Sequence, residues 1–197
     1  NLSESRVLTS EQYKEATATV CSNLNLIAFY DDYPSALVNE DPRTRWRFYA
    51  NVPLGRTVRE ALYPQLEQAI AGKTEYQAVD LLLNFVQTAF VYGYDEEIWG
   101  MDRTFFADES MYYPYCDCED RSVLFSRLVR DLMNLDVVLI YYPGHLATAV
   151  KFSQPVNGDY ITYDGDRYTI CDPTYINAPV GMTMPDMDNA AAFILPL

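Results

Sequence analysis

The chain has 197 residues, a size that fits one domain or a core with an appended part. Hydrophobic residues make up 49% of it, enough for a sizeable core, and 28 acidic residues against 14 basic ones give a formal net charge of −14. That balance repels phosphate backbones and anionic lipid, so nucleic acid is excluded as an expected partner. No apolar run approaches the roughly 18 residues of a membrane span, so membrane insertion is not expected. Four cysteines are too few for a disulfide framework at this length. The chain begins at Asn1 rather than Met and is rich in acid and tyrosine, which leads us to expect a processed protein of the periplasm, the cell envelope or the extracellular space.

In chain order, the first part reads as helical. Thr9-Ser10-Glu11-Gln12 is a capping-box pattern ahead of a helix carrying Tyr13, Ala16, Val20, Leu24 and Ile27. Residues 31–56 look irregular, with a short strand or turn at 46–49. A helix is expected over 58–70, closed by Gly72. Thr74-Glu75-Tyr76-Gln77 then caps another, in which Val79, Leu82, Leu83, Phe85, Val86 and Phe90 leave little polar face, so it should be central. Residues 92–115 lack periodicity and are dense in aromatics and acids. Loops of that length in a compact domain are usually functional or poorly ordered.

From Cys118 a helical pattern resumes, with Leu124, Phe125, Leu128, Val129, Leu132 and Met133 on one face, and Asn134 is a suitable stop. The texture then turns to β, with strands expected over 137–142, 146–152, 160–163 and 168–171, and a late one over 193–195. Asp164-Gly165-Asp166 reads as a hairpin turn. Helices followed by an antiparallel meander indicate an α+β fold.

The chain holds one histidine, His145. Cys118 lies 27 residues before it and Asp172 lies 27 after it. A thiol, a base and an acid that orients the base form the constellation of nucleophilic catalysis. Cys118 falls at a helix start, where unpaired N–H groups and the helix dipole favour a thiolate and can hold an oxyanion. Asp117, Glu119 and Asp120 oppose it with negative charge. Taken singly, each residue has an ordinary structural role: a small buried thiol, a hydrogen-bonded histidine, an Asp-Pro turn. A Cys₃His zinc site from Cys116, Cys118, Cys171 and His145 is disfavoured by its Cys-x-Cys spacing. Calcium at Asp164-Gly165-Asp166 lacks the oxygens it needs. No metal and no cofactor is expected.

The segment Cys118-Glu119-Asp120-Arg121-Ser122-Val123-Leu124-Phe125, continuing to Leu128-Val129-Arg130, resembles the nucleophile helix of the transglutaminase-like superfamily, in its bacterial cysteine-peptidase branch. Pro143-Gly144-His145-Leu146-Ala147-Thr148-Ala149-Val150 looks like that family's histidine strand, and Tyr168-Thr169-Ile170-Cys171-Asp172-Pro173-Thr174-Tyr175 like its aspartate strand, with Gly181 in the following loop. Phe85-Val86-Gln87 and Tyr94-Asp95 resemble the elements before the cysteine. The likeness covers about residues 76–185. It implies a papain-like core over residues 76–197, in which the nucleophile helix packs on an antiparallel sheet, and leaves residues 1–75 as an N-terminal helical extension. It also implies Cys118 as nucleophile, His145 as general base and Asp172 as the orienting acid. Oxyanion donors would be the Cys118 N–H and, second, Gln87. Tyr115-Cys116 stands where the family often has Gly before the Asp, and Asn134 where it has Gly. No tryptophan follows His145, which favours a hydrolase over a crosslinking enzyme. The expected activity is therefore hydrolysis of an amide or peptide bond in a protein or peptide substrate, through a thioester. A crosslinking acyltransferase with the same triad and a catalytically silent binding module are the alternatives.

Overall fold

The computed structural model describes residues 1–33 and 41–197. About 38% of the chain is helical and 21% is strand, an α+β arrangement. Five strands, β5 (Val137–Tyr142), β6 (His145–Val150), β7 (Tyr160–Tyr163), β8 (Asp166–Cys171) and β9 (Phe193–Pro196), form an antiparallel sheet in the order β7-β8-β6-β5-β9. Two local features set its register. The β5–β6 hairpin turns at Gly144, with φ of 79°, and pairs Tyr142 with His145. The β7–β8 hairpin turns at Asp164 and Gly165, both at positive φ (51° and 83°), as a two-residue turn requires.

Alternation along the strands gives the sheet two apolar faces. Val137, Leu139, Leu146, Val150 and Cys171 join the main core with the helices, while Val138, Ile140, Ala147, Ala149 and Ile170 form a second layer under Met187 and Ile194. Two helices are central to the main core, one of them against β5 and β6 and the other against that helix. In α4 (Glu75–Thr88) every residue from Ala78 to Gln87 is buried, and the Thr74/Gln77 capping box starts it as the sequence indicates. The other is α7 (Cys118–Met133), which ends at Asn134 in the left-handed conformation, φ 53°. Ser122 Oγ in α7 donates to the Leu146 carbonyl at 3.0 Å, fastening the helix to β6. Arg121, 1% exposed, donates to the carbonyls of Gln87 and Phe90 and so binds the C-terminal end of α4.

The N-terminal part departs from its reading as a helix. Residues 6–20 form a hairpin, β1 (Arg6–Thr9) with β2 (Thr17–Val20), and helix begins only at α1 (Leu24–Asp31). The Thr9–Gln12 pattern serves a turn: Ser10 Oγ accepts from Tyr13 N–H at 3.2 Å but donates to Asn84 at 2.6 Å, away from any helix of its own. Thr17-Ala18-Thr19-Val20 alternates exposed and buried, a strand period in residues that favour strands. A second departure is α2 (Pro42–Asn51), in place of a strand or turn at 46–49. Asp41 caps it and Pro42 occupies its first position, where a missing N–H costs nothing. Within the region expected to be irregular, residues 34–40 lie outside the described residues.

Helix α3 (Arg56–Ile70) runs two residues longer at its start than the apolar pattern suggests. Residues 92–115 hold two short helices, α5 (Asp95–Ile98) and α6 (Ala107–Tyr112), bracketed by a two-residue parallel pairing of β3 (Val91–Tyr92) with β4 (Tyr115–Cys116). The region is fastened by Arg103, which pairs with Asp31 and Glu109 at 2.9 Å each and lies against the rings of Trp99, Phe105 and Tyr113. One apolar cluster runs from Leu8 to Leu195, so residues before and after position 75 share a core. No helix of the described residues is long and apolar enough to cross a membrane.

Candidate active site

Helix α7 places Cys118 at its first position. Asp117 caps the helix, and the box is closed reciprocally: Asp120 N–H donates to Asp117 and Asp117 N–H to Asp120 Oδ2 at 3.2 Å. Asp120, fully buried, also accepts from Phe105 N–H at 2.7 Å. The acids beside the thiol are therefore built into the fold, and Asp120 additionally anchors the segment before α6.

His145 begins β6 and Asp172 directly follows β8, its sheet neighbour. Pairing of Thr148 with Cys171 sets the register that brings the two side chains together. His145 Nε2 lies 2.8 Å from Asp172 Oδ2, and both side chains are buried, 8% and 2% exposed. The other carboxylate oxygen, Oδ1, accepts from the N–H groups of Thr174 (2.9 Å) and Tyr175 (3.2 Å). Each oxygen thus has its own task, which fixes the carboxylate plane. The Tyr142 ring lies parallel to the imidazole with centroids 6.1 Å apart.

Cys118 and His145 line one cleft of about 640 Å³. Its walls include Trp46 and Tyr141, whose rings are 5.3 Å apart, and Tyr94. Asp95, Glu96, Glu97, Asp102, Asp117 and Glu119 also line it, and among the described residues no Lys or Arg does. Sequence reasoning placed Trp46 in an irregular segment and so gave it no part in the site.

The thiol donates to Glu119 Oε2 at 3.1 Å, and no hydrogen bond joins it to the His145 ring. Burial, followed by the charges of Glu119 and Asp117, pushes the Cys118 thiol well above its ordinary range; the Leu146 N–H opposes the rise. Burial and the neighbouring acids likewise raise Asp117 and Asp120, while Asp95 is pushed up to about 6, chiefly by burial. Cys116 and Cys171 are buried, with thiols raised by burial. Cys21 is half-buried and lies away from the cleft lining.

Among the described residues two groups could hold a cation: Asp117, Cys118 and Glu119, and Asp95, Asp102 and Glu119, each with donor atoms within 4.8 Å of one another. The Cys116, Cys118, Cys171 and His145 set is not among the groups that converge. Gln87, the second oxyanion candidate, does not line the cleft. It is buried under the Asp172 loop, where its Nε2 donates both hydrogens, to the carbonyls of Asp172 (2.9 Å) and Ala178 (3.0 Å). No N–H remains for a substrate oxygen. The Cys118 main-chain N–H, at the first position of α7, has no intrahelical partner. No protein-family model and no curated protein matches the chain.

Proposed function

We propose that the protein is a cysteine hydrolase of the transglutaminase-like superfamily, with a papain-like core, that cleaves an amide or peptide bond in a protein or peptide. One observation carries the reading: His145, held by the buried Asp172 at 2.8 Å, lines the same cleft as Cys118, a cysteine at a helix start. Bonding of Nε2 to the acid turns Nδ1 into the ring's free nitrogen, available to the thiol once a substrate displaces Glu119. His145 takes the Cys118 proton and the thiolate attacks the carbonyl carbon. The C–N bond then breaks as the imidazolium returns that proton to the leaving amine. Water, deprotonated by His145, resolves the thioester to a carboxylate and restores the thiol. An amine entering in place of water would give crosslinking through the same intermediate.

One observation favours a second reading, a silent binding module that keeps the fold. In the resting site the thiol is bonded to a carboxylate and surrounded by acids. Incubation with a diverse peptide mixture, followed by mass spectrometry, separates the readings. The hydrolase yields new peptide termini that are absent with Cys118→Ala and with His145→Ala. No products, or products that persist in Cys118→Ala, would defeat the proposal.

A further inference from the structure

Helix α4 carries three polar side chains in its buried stretch, Asp80, Asn84 and Gln87, spaced four and three residues apart and hence on one face. They are 9%, 3% and 1% exposed. A buried polar side chain is costly unless its bonding is complete, so such a stripe in an otherwise apolar helix calls for a cause. All three point at the loop that follows Asp172. Gln87 donates to the Asp172 and Ala178 carbonyls and accepts from Asn177 N–H at 3.1 Å. Asn84 Nδ2 donates to Asn177 Oδ1 at 3.0 Å, and Asp80 Oδ1 accepts from Val180 N–H at 2.9 Å. Asn177, gripped by the stripe on its main chain and its side chain, has φ of 62°, a left-handed conformation that asparagine tolerates better than most residues.

The N-terminal segment closes the same network from behind. Ser10 Oγ and Gln12 N–H donate to Asn84 Oδ1, Gln12 Nε2 donates to Asn177 Oδ1, and Tyr13 Oη donates to Asp80 Oδ2. The N-terminal segment and the loop that follows Asp172 thus meet at one stripe of α4. The geometry points to Gln87 as the positioning residue of Asp172, with Asn84 and the Ser10–Tyr13 turn holding the loop behind it. This inference rests on the proposed triad. The Gln87 amide fixes the Asp172 main chain so that Oδ1 meets the Thr174 and Tyr175 N–H groups, which leaves Oδ2 aimed at His145 Nε2. A purely apolar contact would hold the loop without setting its rotation.

The test uses the full chain and the fact that it contains one histidine. A proton held between Nε2 and Asp172 is expected to give a single, unambiguous downfield NMR signal, and iodoacetamide alkylation of Cys118, mapped by mass spectrometry, reads the thiol of the same cleft. Gln87→Met keeps the side-chain length and removes both donors. It is expected to weaken or erase the Nε2 proton signal and to slow Cys118 alkylation about tenfold, as small misplacements in active sites do. Asn177→Gly retains the left-handed backbone and removes only the side-chain grip, at an exposed position; it should fold and shift both readouts in the same direction by less. If Gln87→Met does not fold, Asn177→Gly decides. Unchanged signal and alkylation in the folded variants would overturn the inference. If Asp172→Asn also left both unchanged, the triad itself would fail, a different outcome.

Discussion

Glu119 is the group whose removal should change Cys118 most. Its Oε2 lies 3.1 Å from Sγ, and its charge is the largest electrostatic contribution to the raised thiol. At that separation, with an effective dielectric constant near 20, the repulsion between thiolate and carboxylate is about 5 kcal/mol. Water in the open cleft screens part of it, and about half is a reasonable remainder. A gain of ~2.7 kcal/mol increases the thiolate fraction about 100-fold at a pH below the thiol's titration. A less basic thiolate is also a weaker nucleophile, which takes back roughly the square root of the gain. Glu119→Gln, which preserves shape and an acceptor oxygen, should therefore alkylate at Cys118 about tenfold faster than wild type at pH 7. The assay is the second-order rate with iodoacetamide, resolved by peptide mapping, with Cys21 as internal reference. An unchanged or slower rate at Cys118 would refute the claim that Glu119 suppresses the thiol.

Asp108 is buried and pushed up to about 6, mainly by burial, with its Oδ2 accepting from Gly55 N–H at 2.8 Å. It holds its proton more tightly folded than unfolded, so its contribution is full below the unfolded value of about 4 and is lost as pH rises through about 6. Asp108→Asn should raise stability at pH 7 by about 1–2 kcal/mol and flatten the fall of the urea midpoint between pH 4 and 7; an unchanged slope would contradict this. Gly181, at φ 88°, passes so close to residues 157 and 158 that a Cβ would lie 2.7 Å from the Asn157 carbonyl oxygen and 2.9 Å from the Gly158 Cα. Gly181→Ala should lose about 2–4 kcal/mol in thermal or urea unfolding, since both the backbone angle and the contact oppose it. A loss within 0.5 kcal/mol would show that the loop yields.

The legible parts of this chain carry their signals locally. Helix α4 announces itself by the Thr74/Gln77 box and an apolar run on every side, and α7 by the Asp117 cap and a clear 3.6-residue stripe. Strands β5 to β8 follow from apolar runs and the Asp164-Gly165 turn. The β1–β2 hairpin was masked because Ser10 imitates a helix cap while its partner, Asn84, is 74 residues away. Helix α2 had a readable start in Asp41-Pro42, which the irregular surroundings obscured. In residues 92–115 the order comes from Arg103 and its ring contacts, which no local period encodes.

The candidate site divides in the same way. Cys118, His145 and Asp172 could be nominated from residue type and order, and two of them meet directly. The direction of the Cys118 thiol towards Glu119 and the use of Gln87 under the Asp172 loop depend on side-chain geometry. The capping requirement of α7 explains two of the acids: Asp117 and Asp120 start the helix that presents the thiol, whereas Glu119, the larger charge against the thiol, takes no part in that cap.

The central claim is that His145 activates Cys118, and the most direct measurement is the alkylation rate of Cys118 in wild type and in His145→Ala, with Cys21 in the same molecule as reference. If the imidazole supports the thiolate against the surrounding carboxylates, Cys118 should slow at least about tenfold in the variant at pH 7 while Cys21 is unchanged. Equal Cys118 rates in the two proteins would contradict the account.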